Sequence, residues 1–235
     1  MRTLAIGDIH GCSVALHALL DAVAPQPDDV LISLGDVIDR GPDSRGVLDF
    51  LIDLYAGGRL VVLRGNHEQM MLDARGLPDA WLMWLACGGR QAVASYPDIV
   101  GDTFEPSKIP EAHWKFLDEN LLDCCETATH FFVHGNVYFD IPLDEQPWDM
   151  LRWEQFNMPL PHVSGKLMVC GHTRQRSGRP YSVGHAVCID TGVYADDGWL
   201  TCLEVEKNRY WQANQRGEVR SDYLDPPLTN SGRED

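Results

Sequence analysis

Long hydrophobic runs are missing from this chain: across its 235 residues no apolar stretch nears the roughly 20 positions that a membrane-spanning helix needs. Positive charge is scarce as well. Nineteen Lys and Arg stand against 35 Asp and Glu, a formal net charge of −16, and a surface of that sign excludes the cationic grip on phosphates that tight nucleic-acid binding requires. A phosphorylated substrate is not excluded, because carboxylates that hold cations see the local field inverted. The seven cysteines, Cys12, Cys87, Cys124, Cys125, Cys170, Cys188 and Cys202, show no C-x-x-C spacing and leave an odd count, which reads as reduced, mostly buried thiols. Cys170 and Cys188 lie in apolar runs and are expected in the core, whereas Cys12 adjoins a polar motif where oxidation would disturb it. No internal repeat is present, and no charged leader with a cleavage site precedes the first strand-like run, so a cytoplasmic location is expected.

Three short segments carry the strongest signal: Gly7-Asp8-Ile9-His10-Gly11, Gly35-Asp36-Val37-Ile38-Asp39-Arg40-Gly41 and Gly65-Asn66-His67-Glu68. Each follows a strand-like stretch, namely Thr3-Leu4-Ala5-Ile6, Val30-Leu31-Ile32-Ser33-Leu34 and Leu60-Val61-Val62-Leu63. Polar side chains therefore emerge at strand C-terminal ends, where open α/β sheets place their ligands. Two later segments repeat the pattern, His134-Gly135 after Phe131-Phe132-Val133 and Gly171-His172-Thr173 after Met168-Val169-Cys170.

The layout between them is regular at first. Ser13 is expected to cap a helix with Leu16, Leu19, Leu20 and Val23 on one face, ended by Pro25 to Asp29. Pro42-Asp43-Ser44 opens a second helix with Val47, Leu48, Leu51, Ile52 and Tyr55 on one stripe, closed at Gly57-Gly58. Successive β-α-β crossovers account for the motif spacing. A short helix is expected from His67 to about Asp73. Residues 78–128 read as a helical insert in which Trp81, Leu82, Trp84 and Leu85, then Trp114, Phe116 and Leu117, sit at helical spacing, as core or as a lid over a site. Strands return at His130–Val133, Leu167–Cys170, Ala186–Asp190 and Leu200–Val205, with one more expected over Arg209 to Ala213. Residues 135–166 and 172–185 form long Pro- and Gly-rich loops. The size suits a single domain over residues 1–220, with 221–235 expected as a mobile tail.

Carboxylate, amide oxygen and imidazole suit hard and borderline divalent ions, and Asp8, His10, Asp36, Asn66, His134 and His172 supply that mixture without a thiolate. Any one segment alone reads as a glycine turn or a hydrogen-bonded core histidine. Five at strand ends read together as a two-metal site, in which an aspartate between two ions lowers their repulsion.

From residue 3 to about 205 the chain resembles the phosphoprotein phosphatase family of metallophosphatases, especially small bacterial and bacteriophage serine/threonine members. The signature is GDxHG, GDxVDRG, GNHE and two separate histidines, with Ile38 here where Val is usual. That resemblance implies a calcineurin-like metallophosphoesterase fold of the α/β class, two stacked mixed β-sheets flanked by helices in four layers. It implies that Asp8 and His10 bind one metal, Asp36 bridges, and Asn66, His134 and His172 bind the second. Arg40 would hold phosphate together with Asn66 and a second arginine, for which Arg152 is the best match and Arg174 or Arg176 compete. His67, paired with Asp39, would be the general acid, while Glu68 needs no role beyond a helix N-terminal carboxylate. A hydroxide bridging two metals would attack the phosphate. Mn²⁺ is the implied ion, with Fe or Zn²⁺ fitting the same donors, and phosphorylated proteins or peptides are the implied partners, with no nucleic acid and no membrane. The implied activity is a serine/threonine protein phosphatase, with phosphotyrosine left open. Symmetrical dinucleoside tetraphosphate hydrolysis is the rival, its enzymes resembling GDxxARG and GNHD at the second and third segments. A non-catalytic scaffold would lack the acid histidine or some ligands, and none is missing.

Overall fold

The structure is a computed structural model that describes residues 1–225. The chain alternates at first, with β1 (Thr3–Ile6), α1 (Ser13–Val23), β2 (Val30–Ser33), α2 (Ser44–Ala56), β3 (Leu60–Val62) and α3 (Asn66–Ala74). A helical stretch follows as α4 (Pro78–Trp84), a turn kinked at Gly88 (Leu85–Gly89), α5 (Arg90–Ala94) and α6 (Glu111–Glu119). The second half holds β4 (Cys124–Glu126), β5 (His130–Val133), α7 (Trp148–Trp153), β6 (Leu167–Cys170), β7 (Tyr181–Ser182), β8 (Ala186–Cys188), β9 (Leu200–Glu204), β10 (Arg209–Ala213) and β11 (Val219–Tyr223). Two mixed sheets result, ordered β11-β10-β9-β1-β2-β3 and β4-β5-β6-β8-β7. The first is parallel across β1, β2 and β3 and antiparallel beyond β9. The second is parallel across β5, β6 and β8, with antiparallel edges.

Alternation along the strands explains why the sheets stack. Side chains of successive strand residues point to opposite faces. Ala5, Ile32 and Leu203 of the first sheet share one buried cluster with Phe132, Val169 and Val187 of the second. Their neighbours Leu4, Ile6, Leu31 and Cys202 pack instead with Leu16, Leu19, Val47, Leu48 and Leu51 of the helices, and with Trp81, Trp84 and Trp114. On the far side, Phe131, Val133, Met168, Cys170 and Cys188 meet Leu151 of α7 and Phe156. The layers are therefore helix, sheet, sheet, and a thinner cover from α7 and its loop. No helix among the described residues is long and apolar enough to cross a membrane.

Local outcomes differ from the sequence reading in several places, and helix α7 and strand β7 form inside the stretches 135–166 and 172–185 that read as loops. Ser13 is the first residue of α1, and Cys12 occupies the cap without a side-chain hydrogen bond. β4, an edge strand, forms inside the stretch read as helical and irregular, through three pairs with β5. Helix α3 begins at Asn66 rather than His67. The tail expected from Ser221 is instead strand for its first three residues, since β11 pairs with β10 from Val219 to Tyr223, and residues 226–235 lie outside the described residues. All five β11 side chains are exposed, so hydrophobic patterning is silent there, and the strand is held by backbone pairing and by polar contacts such as Arg220 with Gln212.

The buried Asp29 carboxylate fastens the entrance of β1 to that of β2. It accepts from the Arg2 guanidinium at 2.9 and 2.6 Å and from the backbone N–H groups of Arg2 and Gln26 at 2.7 and 2.8 Å. The Arg2 hydrogen bonds hold its carboxyl down at about 2. A depressed folded-state value means that the contribution is complete above the unfolded value near 3.9 and is lost as pH falls through about 2. Asp29→Asn is expected to cost about 1–3 kcal/mol at pH 7 in urea denaturation, with the gap to wild type narrowing below about pH 4. A gap that stays constant to pH 3 would show that the ionised pair contributes nothing.

Candidate metal centre and catalytic site

Each polar cluster sits where a strand ends. Asp8 and His10 follow β1, Asp36 follows β2, Asn66 and His67 open α3 after β3, His134 follows β5 directly, and His172 follows β6. Tight reversals are needed to fold so many side chains back over the strand ends. His10, Asp36, Asp39, Arg40 and His172 all have left-handed backbone, with φ of 46°, 49°, 71°, 64° and 61°, five of the eight non-glycine residues so placed among those described. Strain concentrated in this way is held in place only by dense surroundings and is typical of functional sites. Gly65 is required by the same crowding, since a Cβ there would collide with Asp36 Oδ1.

The histidine tautomers follow from their backbone partners. His10 Nδ1 donates to the Ile38 carbonyl, His134 Nδ1 to the Leu34 carbonyl and His172 Nε2 to the Trp153 carbonyl, each at 2.9 Å. Burial pushes His10 well below its ordinary pKa, His134 down to about 4, and His172 downward, so all three rings are neutral and their other nitrogens carry lone pairs. Those lone pairs converge on other acceptors. His134 Nε2 lies 3.2 Å and His172 Nδ1 3.1 Å from Asn66 Oδ1, and Asp36 Oδ1 is 3.4 Å from His134 Nε2. No proton is left to share among these four atoms, and a cation is what such a set can bind. Asp36 Oδ2 faces the other way, 3.6 Å from His10 Nε2. Two potential ligand groups, His10 with Asp36 and His67, and Asp36 with His134 and His172, therefore share Asp36, as a bridging ligand would.

Asp8 belongs to neither tight group. Its two oxygens accept from the His172 backbone N–H at 3.1 Å each. Burial, then the charges of Asp190 and Asp36, push its carboxyl well above the usual range, a cost that a neighbouring divalent ion would reverse. Asp190, two residues beyond β8, had no role in the sequence reading although its Ile189-Asp190-Thr191-Gly192 setting repeats the strand-end pattern. Burial raises its carboxyl to about 6.

His67 and Asp39 pair as the resemblance implies. His67 Nδ1 donates to Asp39 Oδ2 at 2.6 Å, both groups buried, leaving His67 Nε2 3.9 Å from Asp36 Oδ2. Burial acts to lower the His67 pKa, but Asp36 and Asp39 together more than offset it and the value is raised. Because Asn66 and His67 are the first two residues of a helix, their side chains diverge by the helical turn rather than across an extended one.

Glu68 does more than attend a helix N-terminus. It is fully buried, with Oε2 accepting from the Asp36 and Gly65 N–H groups at 2.8 and 2.9 Å and Oε1 from the Val37 N–H at 2.8 Å. It clips the second motif onto the third. Burial raises its carboxyl to about 7.

The arginines divide. Arg40 Nη1 donates to His10 Nε2 at 3.2 Å, and its guanidinium lies 4.8 Å from the centre of the Tyr194 ring. Arg152 is not brought to the metal ligands. Its Nε donates to Asp123 at 2.8 Å, Nη1 binds Gln69, and the guanidinium stacks 5.5 Å from Trp148. Arg174 shares Tyr194 with Arg40, 5.7 Å from the ring centre, and its Nε is buried without a hydrogen-bond partner. Arg176 is exposed. Cys12 is buried, its thiol pushed up to about 12, so the reactive thiolate that oxidation needs is absent.

Fold and site together place the chain in a family of metal-binding phosphoesterases. A sequence profile of the calcineurin-like phosphoesterase family matches residues 1–201, and the chain belongs to that family, whose members work through a binuclear metal centre. Serine/threonine-protein phosphatase 1 of Salmonella typhimurium is 46% identical over 85 residues, 36% of this chain and 37% of that protein. The symmetrical bis(5'-nucleosyl)-tetraphosphatase of Cellvibrio japonicus is 42% identical over 173 residues, 70% of this chain and 58% of that protein. The chain thus spans less than two thirds of either relative. A solved structure assigned as a diadenosine tetraphosphatase superposes with a TM-score of 0.64 at 20% identity, over 94% of this chain and 93% of that one, a likeness of fold.

Proposed function

We propose that this chain is a protein phosphatase that hydrolyses phosphoserine and phosphothreonine, with two Mn²⁺ ions held by Asp8, His10, Asp36, Asn66, His134 and His172. Fe and Zn²⁺ suit the same oxygen and nitrogen donors. When bound, the two ions would supply an activated water and charge stabilisation for the phosphoryl oxygens. The observation that carries the reading is the buried 2.6 Å hydrogen bond between His67 and Asp39. An ester of serine or threonine leaves as an alkoxide, which is strongly basic and needs a proton as its bond breaks. Symmetrical cleavage of a dinucleoside tetraphosphate expels a nucleoside diphosphate instead. That group departs without protonation, so an acid held by a dedicated carboxylate serves it little.

Arg40 and Asn66 would hold the phosphoryl oxygens from the ligand side. Arg152, the second phosphate contact implied by the family resemblance, would have to leave Asp123 and Gln69 to join them, whereas Arg174 already stands with Arg40 beside Tyr194. Phosphorylated proteins or peptides are the proposed partners, with no nucleic acid and no membrane.

One finding favours the dinucleotide reading: the Cellvibrio tetraphosphatase aligns over twice as many residues as the Salmonella phosphatase, 173 against 85. Metal-depleted protein reconstituted with Mn²⁺ and assayed on phosphoserine, phosphothreonine and phosphotyrosine peptides beside diadenosine tetraphosphate decides between them. The expected kcat/KM is at least about tenfold higher on a phosphoserine or phosphothreonine peptide, in line with the usual contribution of a positioned acid. A preference of that size for the dinucleotide would replace the phosphatase reading.

A further inference from the structure

The Asp39 carboxylate has two hydrogen-bonding neighbours, and His67 is only one of them. The indole Nε1 of Trp84 lies 3.0 Å from Asp39 Oδ1 and 2.9 Å from Oδ2, donating across the whole carboxylate. Indole N–H is a donor only, so it can orient the carboxylate but can neither take nor relay a proton. Trp84 ends α4, and the turn Leu85–Gly89 that follows is broken by a kink at Gly88, whose backbone is not helical. The kink returns Gly88 to the second motif. Its carbonyl accepts from the Arg40 N–H at 3.0 Å, its φ is 121°, and a Cβ on it would stand 2.8 Å from Arg40 Cγ. One turn therefore grips both left-handed residues of the Asp39–Arg40 reversal, the first through a side chain and the second through backbone.

Trp84 has little freedom of its own. It is buried, Trp81 packs edge-on at 5.2 Å between ring centres, and a Cβ at Gly89 would lie 2.6 Å from its indole. A purely apolar core position asks only for volume. This one aims its single polar atom at the carboxylate that holds His67.

We infer that Trp84 is a positioning residue for the reaction: its N–H fixes the Asp39 carboxylate so that His67 is held with Nε2 turned toward the departing oxygen. The inference rests on His67 as the proton donor. Without the indole N–H, the Asp39 carboxylate keeps only His67 as a partner and turns, and the imidazole loses its fixed direction. Helical spacing alone leaves this unseen, because an indole buries an apolar body while carrying a polar edge.

The test uses the full chain reconstituted with Mn²⁺ and two variants, W84F and a chain with benzothienylalanine at position 84. The second keeps the indole shape but has sulfur in place of the N–H. Each is assayed on a phosphoserine peptide and on p-nitrophenyl phosphate, whose leaving group needs no acid, with His67→Asn alongside. Both variants are expected to lose about tenfold or more kcat on the phosphopeptide, to lose less than about threefold on the aryl ester, and to keep KM within about threefold. Equal losses on the two substrates, or wild-type kcat in the benzothienylalanine protein, would overturn the role of Trp84. If His67→Asn still discriminates between the substrates in that case, the acid stands and only the positioning inference falls. If His67→Asn treats the two substrates alike, both fall.

Discussion

His67→Asn will lower turnover on a phosphoserine peptide by about 10²–10⁴-fold, the range a positioned general acid supplies, while the bound metal stays at the wild-type level. Metal content is preserved because the six proposed ligands are untouched, and Asn66 still opens α3. On p-nitrophenyl phosphate the loss will be smaller by at least about tenfold, since that leaving group departs as a stable anion. Stopped-flow or initial-rate comparison of the two substrates, with elemental analysis of the same preparations, checks both parts. The dependence on leaving group is the informative quantity. A general loss of fold or of metal would depress both rates together, and equal depression with metal retained would remove His67 from the proton transfer. The buried Nδ1–Asp39 bond makes the expectation specific, because it leaves one nitrogen, Nε2, free to meet substrate.

Asp36→Asn will cost both ions at once. The Asp36 carboxylate is the member common to the two ligand groups, with Oδ2 toward His10 and Oδ1 toward His134. An amide presents one neutral oxygen where two charged ones stood, and its NH₂ would confront the lone pair of one of those imidazoles. Removing a partner that merely orients a ligand typically lowers affinity 10–100-fold, so loss of a shared charged ligand should exceed about 100-fold. Affinity is read by calorimetric titration of Mn²⁺. A second readout is independent of catalysis: ligand binding to the folded state raises Tm by mass action, so the Mn²⁺-dependent rise in Tm seen for wild type should vanish in the variant. Loss of one ion with normal affinity for the other would contradict bridging.

Much of this was legible in the chain and some was not, for identifiable reasons. Asp8, His10, Asp36, Asn66, His134 and His172 announce themselves because each interrupts an apolar run beside glycine, and strand ends in an α/β sheet are where such residues gather. The stacking of the two sheets comes from single-residue alternation, as where Phe132 turns inward between Phe131 and Val133, and that pattern is short in each strand. β11 leaves no trace, since every side chain faces solvent. Glu68 was readable as a motif letter but not as a clip, because its acceptors serve N–H groups some 30 residues away, on Asp36 and Val37. Trp84 counted as core by periodicity, and it is core; its N–H bond to Asp39, 45 residues earlier in the chain, is a tertiary contact that helical spacing does not contain. Asp190 carried the same signal as its neighbours, an acid at a strand end followed by Gly192, and shows that the pattern extends to a strand that supplies none of the proposed ligands.

The stoichiometry of metal binding bears most directly on the two-metal, one-bridge site. Protein stripped of metal and titrated with Mn²⁺ at pH 7, followed by calorimetry and confirmed by elemental analysis after desalting, should take up two ions per chain, with phosphatase activity rising only as the second site fills. Saturation at one ion per chain, or full activity in the chelated protein, would contradict it.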